Sequence, residues 1–168
     1  MLIIVETERL CIRQITNEDA KNLSKVLADP VVMQYSTVGV HTEEQIHDYI
    51  ANCKKQYDLN GYGHWAIFNS VTDEFVGVCG LNKHNLNSED VIHINYRLTT
   101  DQQGKGYAVE STNGILDFAK KSLNLNAVHA LIESDNVSSV KVVNRTGFQF
   151  IKSSVFRGFE IDIYQVAL

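Results

Sequence analysis

Apolar residues recur at two spacings along this chain, every second position in some stretches and every third or fourth in others, and the switches between them mark its elements. Residues 8–15 alternate, with Leu10 and Ile12 on one face and Arg9 and Arg13 on the other, which predicts a strand. Asn17 then offers a helix N-cap. Ala20, Leu23, Val26 and Leu27 follow at helical spacing up to Asp29-Pro30, where the only proline ends the helix. Thr42-Glu43-Glu44-Gln45 resembles a capping box for a second helix, whose apolar stripe is Ile46, Tyr49, Ile50 and Cys53. Gly61-Tyr62-Gly63 closes that helix, and strands are predicted over residues 64–69 and 75–81, joined by a turn around Thr72-Asp73-Glu74. Residues 91–98 alternate cleanly, Ile92, Ile94, Tyr96 and Leu98 against His93, Asn95 and Arg97.

The second half continues in kind. A helix up to about Ser122 carries Ala108, Thr112, Ile115, Leu116, Ala119 and Leu123 on one side, and residues 127–132 form a strand. Residues 136–146 read as a short helix stopped by Gly147, and the chain returns to strand character as a closing hairpin that turns near Arg157-Gly158. The order is strand, two helices, three strands, helix, strand, helix and one or two strands. With no repeat, linker or low-complexity stretch, residues 1–168 are expected to form a single domain, a mixed sheet flanked by helices.

Composition narrows the classes of function. At 44% hydrophobic and 21% charged residues the chain is of ordinary globular type. A net charge of -5 speaks against a general nucleic-acid partner, which needs a basic face. Cys11, Cys53 and Cys79 are odd in number and widely spaced, so they build neither a zinc site nor a disulfide framework; Cys11 and Cys79 read as small core residues. The opening run Leu2-Ile3-Ile4-Val5 is too short for a signal peptide or a membrane span. The expectation is a cytoplasmic protein without membrane partner or metal, acting as a monomer or homodimer.

Chemistry concentrates where the strand over residues 91–98 runs into the next helix. Gln103-Gly104-Lys105-Gly106-Tyr107-Ala108 removes side-chain bulk at a sharp turn, and backbone N–H groups at a helix N-terminus make an anion site. A plain strand-to-helix connection also explains the glycines. The Walker pattern is absent, and G-x-G-x-x-G is incomplete because position 109 is Val. Asn136 and Ser139 open the later short helix, where capping alone accounts for Asn136. His93 lies mid-strand, where a hydrogen-bonded structural histidine is the commoner outcome.

The six residues from Gln103 to Ala108 are similar to the Gln/Arg-x-x-Gly-x-Gly/Ala signature of the GNAT superfamily of acetyl-CoA-dependent N-acetyltransferases. Ile94-Asn95-Tyr96, Glu110, the opening Thr7-Glu8-Arg9-Leu10-Cys11-Ile12-Arg13, and Asn136 and Ser139 followed by Thr146-Gly147-Phe148 resemble the RimJ/RimL ribosomal-protein subgroup. This resemblance implies an α+β fold, a central mixed, mostly antiparallel sheet flanked by about four helices. It implies acetyl-CoA as cosubstrate, its diphosphate held by backbone amides from Gln103, Gly104, Lys105, Gly106, Tyr107 and Ala108. Tyr96 and Leu98 would pair with the pantetheine arm, Asn136 would contact it, and Ser139 would lie near the sulfur as the acid for the leaving thiolate. The chain departs from the pattern at His93, where the family often has Glu, and at Val143, where many members have a thiolate-protonating Tyr.

The expected reaction is direct attack of a primary amine on the thioester. At pH 7, neutralising an α-amine of pKa about 7.8 costs roughly 1 kcal/mol, against roughly 4.6 for a lysine. A histidine near its usual pKa suffices as base for the former, so His93 is the candidate base and a protein N-terminal α-amine the favoured acceptor. A small-molecule amine is the other option, with Glu44, Tyr35 and Glu160 as surface candidates for binding a cation. A non-catalytic acyl-CoA-binding regulatory module is the alternative outside the enzymes.

Overall fold

The computed structural model describes residues 2–168. Its strands are β1 (Ile3–Glu6), β2 (Leu10–Gln14), β3 (His64–Asn69), β4 (Phe75–Leu86), β5 (Glu89–Leu98), β6 (Ala127–Ile132), β7 (Gln149–Phe156) and β8 (Phe159–Ala167). The helices are α1 (Ala20–Leu27), α2 (Glu43–Asn60), α3 (Tyr107–Lys121) and α4 (Val137–Arg145). One sheet carries the strands in the order β1-β2-β3-β4-β5-β6-β8-β7. Every neighbouring pair in it is antiparallel except β5 and β6. The expected mixed, mostly antiparallel sheet with four helices is what forms.

Two cores cover the two faces. Leu10, Ile12, Trp65, Ile67, Leu81 and Ile94 pack with Ile115, Leu116 and Ala119 of α3 and Val143 of α4. On the other face Ala66, Phe68, Phe75 and Val78 pack under Leu23, Val26 and Leu27 of α1 and Ile46, Ile50 and Cys53 of α2. The alternation in β2 is therefore not a core face opposite a wet one. Arg13 is tied down by Asp19 through two hydrogen bonds of 2.7 and 2.8 Å and lies over the Phe68 ring.

Three local details depart from the sequence reading. Residues 3–6, Ile3-Ile4-Val5-Glu6, form a strand, β1, which pairs with β2 along the edge of the sheet. The first helical turn is capped by Thr16, not Asn17, because Asp19 accepts from the Thr16 N–H at 2.7 Å while holding Arg13. Cys11 is only half-buried, whereas Cys79 is in the core. The capping box of α2 is present: Gln45 N–H donates to Thr42 Oγ1, and Thr42 N–H to Gln45 Oε1. The closing hairpin turns at Arg157 and Gly158, both at positive φ.

The parallel pair decides where a ligand fits. β5 and β6 register at a single position, His93 against His129. Past it, β5 runs on to Leu98 and β6 to Ile132 without pairing to each other. Each leaves an open edge there, and an unpaired edge inside a fold needs another partner for its N–H and C=O groups.

Candidate active site

The gap between the parted strands widens into a cleft of about 960 Å³, lined by residues of β5 from His93 to Leu98, by Ala130, Leu131 and Ile132 of β6, and by the first turns of α3 and α4. His93, Tyr96, Leu98, Gln103, Gly104, Gly106, Tyr107, Ala108, Asn136 and Ser139 all line it. Residues scattered over more than forty positions of sequence thus meet in one cavity. Lys105 does not line the cleft: its ammonium donates to Gln102 Oε1 at 3.1 Å and its carbonyl accepts from Arg9 Nη1 at 3.0 Å.

The turn before α3 has the geometry of an anion cradle. Gly104 and Gly106 stand at φ +75° and +82°, and a Cβ built on Gly104 meets nothing within 4 Å. Only glycine takes such φ values without strain, and the absent side chain leaves the approach open. Among the described residues, no protein group accepts from the N–H groups of residues 104–109, which surround the positive end of α3. Tyr107 contributes only its backbone, because its ring is buried and its hydroxyl accepts from Asn69 Nδ2 at 3.2 Å. The Leu98 carbonyl accepts from Gln103 Nε2 at 3.2 Å, which binds the turn to the end of β5.

A support for this turn comes from residues that the sequence reading noted only as part of a resemblance. Glu110 accepts from Thr7 Oγ1 at 2.6 Å, from Arg9 N–H at 2.8 Å and from Arg9 Nε at 2.7 Å. These bonds hold the carboxyl of Glu110 below its ordinary pKa against the opposing effect of burial. Arg9 in turn lies over the Tyr107 ring, 4.6 Å from its centroid. The β1–β2 loop is therefore clamped onto the first turn of α3.

At the other end of the cleft the side chains are polar and crowded. His93 is 6% exposed and its Nε2 has no hydrogen-bond partner. Its ring stacks at 4.6 Å on His84 and lies 6.3 Å from the Phe156 ring. Burial, with the nearby His84, His64, Arg157 and Arg97, pushes its pKa well below the usual histidine value. The ordinary pKa assumed from sequence is thus corrected: His93 is neutral at pH 7 and a weaker base than a free imidazole. His64 is held from both sides, Nδ1 at 2.6 Å from Tyr49 Oη and Nε2 at 2.8 Å from Asn82 Nδ2, and burial lowers its pKa to about 3. His41, His64, His84 and Tyr49 entered no motif because they come from a loop, two strands and a helix.

Asn136 caps α4 by accepting from Ser139 N–H at 3.3 Å. The Ser139 carbonyl accepts from Tyr96 Oη at 3.1 Å, and burial pushes that phenol up to about 12. Val143, where many GNAT proteins carry a tyrosine, is fully buried in the core. Of the surface candidates for a cation, Tyr35 lines the cleft, and Glu44 and Glu160 do not. Among the described residues no His, Cys, Asp and Glu side chains gather into a metal-holding set, and no helix is long and apolar enough to cross a membrane.

A family model described as an acetyltransferase (GNAT) domain matches residues 9–149. An uncharacterized N-acetyltransferase p20 of Bacillus licheniformis is 34% identical, over 96% of this chain and 93% of its own. The fold is shared with RimL, a ribosomal L7/L12 α-N-protein acetyltransferase in complex with coenzyme A. That match has TM-score 0.83 at 19% identity and covers 99% of this chain and 98% of the other. It is also shared with a spermidine N-acetyltransferase of Vibrio cholerae in complex with coenzyme A and spermine, at TM-score 0.79 and 15% identity over 96% of both chains.

Proposed function

The chain belongs to the GNAT family and is an acetyl-CoA-dependent N-acetyltransferase, and we propose that its acceptor is a low-pKa primary amine, in the first place a protein N-terminal α-amine. The family assignment decides against a non-catalytic module; it leaves open protein and small-molecule amines, both of which occur among the fold's relatives. The observation that carries the reading is that Gly104, Gly106, Tyr107 and Ala108, whose N–H groups have no acceptor among the described residues, line the same cleft as His93.

The diphosphate of coenzyme A sits on those N–H groups, and the pantetheine arm lies in the gap along Tyr96 and Leu98, with Asn136 beside it. Ser139 then stands near the sulfur and His93 near the acceptor nitrogen. The neutral amine attacks the thioester carbonyl, the C–N bond forms, and the tetrahedral intermediate collapses with loss of the C–S bond. An edge N–H of β5 supplies a preorganised donor for the oxyanion, a contribution of about 3 kcal/mol. The amine proton passes to the lone pair of neutral His93, directly or through water. Because burial disfavours a charged His93, it relays that proton rather than storing it. A site with so weak a base favours an amine that is cheap to neutralise, as an α-amine is and a lysine is not. Three free cysteines fit a reducing cytoplasm.

Coenzyme A release tests this with peptides that carry either a free α-amine or a blocked N-terminus and one lysine. At pH 7 the difference in neutral amine alone favours the α-amine by about a hundredfold or more, and the gap closes as pH rises above 8. Equal rates at pH 7 overturn the α-amine reading. His93→Ala with full activity at every pH removes the histidine from proton transfer.

A further inference from the structure

Resting on the amine-acceptor reading, we propose that the acceptor carries a carboxylate within a few bonds of its amine and that Arg97 binds it. Arg97 follows His93 and Asn95 at alternate positions of β5, so all three side chains project from one face of the sheet. It stands opposite Val78, which packs under α1 and α2, so this face is the one away from α3 and its anion cradle. Arg97 lines the cleft and is no more than partly exposed. Among the described residues its side chain forms no ion pair and no hydrogen bond. Burial lowers its pKa, and only the Tyr49 phenol opposes that.

A guanidinium stays charged in a protein, and holding one half out of water without a counterion costs stability unless a ligand provides the anion. Its neighbours want the same thing. Among the described residues Asn95 Nδ2 is a buried donor with no acceptor, and His41 Nδ1 is likewise without a partner. Among the described residues the carboxylates that line the cleft are Glu133 and Asp135, in the loop after β6. The acidic Asp48 adjoins His41 and Tyr49 in a neighbouring pocket, whereas the wall itself offers Arg97 and Asn95 as donors to an oxyanion. A carboxylate matches the planar fork of Arg97 with two parallel N–H···O bonds. An N-terminal acidic residue of a peptide and a free amino acid both present an amine and a carboxylate in this relation.

The test uses acceptors that differ only in the carboxylate. Peptides beginning with Asp or Asn, a free amino acid and its amide, and spermidine are compared by coenzyme A release, and N-acetylated aspartate is titrated onto the coenzyme A complex by calorimetry. The acidic member of each pair is expected to have a kcat/KM higher by about tenfold to a hundredfold, the size of one charge-assisted pair. Whether the peptide or the free amino acid gains more identifies the source of the carboxylate. Arg97→Gln is expected to abolish the preference through KM, with coenzyme A affinity retained and no loss of melting temperature; Arg97→Lys restores part of it. Equal use of acidic and amide acceptors, a preference for spermidine, or a preference that survives in Arg97→Gln overturns the proposal. Loss of coenzyme A affinity in Arg97→Gln also overturns it, by assigning the arginine to a phosphate. Carboxylate binding that needs Arg97, without turnover of any amine, overturns the amine reading and leaves the anion site standing.

Discussion

The two ends of the cleft are built from different materials. At the end proposed for coenzyme A the groups on offer are main-chain N–H groups in a turn whose shape is fixed by two glycines at positive φ and by the clamp of Thr7 and Arg9 on Glu110. At the acceptor end they are side chains from α2, β3, β4, β5 and the loop before α2, several with buried nitrogen atoms that find no protein partner. A cosubstrate with an invariant diphosphate suits a turn of main-chain donors that is contiguous in sequence and held from outside by one clamp. An acceptor of particular shape and charge is met by groups that are left unsatisfied until it arrives, at a cost to stability.

The sharpest way to break this contrast is to spoil the turn without touching the acceptor end. In Gly104→Val the new Cβ meets no protein atom within 4 Å, so the fold is expected to survive with about 1–2 kcal/mol of backbone strain at φ +75°. The side chain occupies the approach to the N–H groups. Loss of two charge-assisted hydrogen bonds, each about 1.5–3 kcal/mol, weakens coenzyme A binding by about a hundredfold or more. Unchanged affinity by calorimetry in a folded variant moves the diphosphate elsewhere.

The acceptor end leaves a signature in the pH dependence of stability. His64 has a pKa near 3 when folded, set by burial, against about 6.5 unfolded. Between those values the unfolded chain binds a proton that the folded chain does not, so stability falls as pH drops from about 6.5 towards 3. One such histidine contributes at most about 1.4 kcal/mol per pH unit, or roughly 2 kcal/mol by pH 5. Urea unfolding at pH 7, 6 and 5 is expected to show this fall, with a shallower slope in His64→Gln. An unaltered slope in that variant means that His64 titrates as a solvent-exposed group.

The clamp gives a smaller effect that tests whether the turn is preorganised. Glu110→Ala leaves Thr7 Oγ1 and Arg9 N–H without their acceptor at a partly buried site. A loss of about 1–3 kcal/mol in stability and about tenfold in coenzyme A affinity is expected, with kcat at saturation little changed. Lost stability without lost affinity makes the clamp a structural tie only.

What the sequence made legible follows the same division. The anion turn is contiguous, so Gly104, Gly106 and the helix behind them are readable from spacing. Elements with a strong period were readable as well, α2 with its capping box among them. β1 was missed because three apolar residues and a glutamate at an edge carry too little pattern to separate a strand from a tail. The acceptor wall was not legible: His41, Tyr49, His64, His84 and Arg97 have no mutual spacing, and only the parting of β5 from β6 beyond His93 brings them to one cavity. The depressed pKa of His93 was equally out of reach, since burial on both sheet faces is a tertiary property.

The smallest effect concerns Ser139, where the two ends meet. Its N–H and carbonyl are engaged with Asn136 and Tyr96, while its hydroxyl makes no hydrogen bond to another protein group. Val143 stands in the core where many GNAT proteins carry a tyrosine, and the phenols nearby are otherwise engaged. The Tyr96 hydroxyl is spent on the Ser139 carbonyl with its pKa raised to about 12, and the Tyr35 hydroxyl donates to the Asp135 carbonyl at 3.0 Å. A thiolate leaving group, of pKa about 8.5, departs without prior protonation, and water protonates it afterwards. Ser139 then supplies one hydrogen bond to the sulfur, about 1 kcal/mol. Ser139→Ala is expected to lower the single-turnover rate by less than about tenfold, with coenzyme A affinity unchanged. A fall beyond a hundredfold makes Ser139 the proton donor on which C–S cleavage depends, and joins the two ends of the cleft in one catalytic unit.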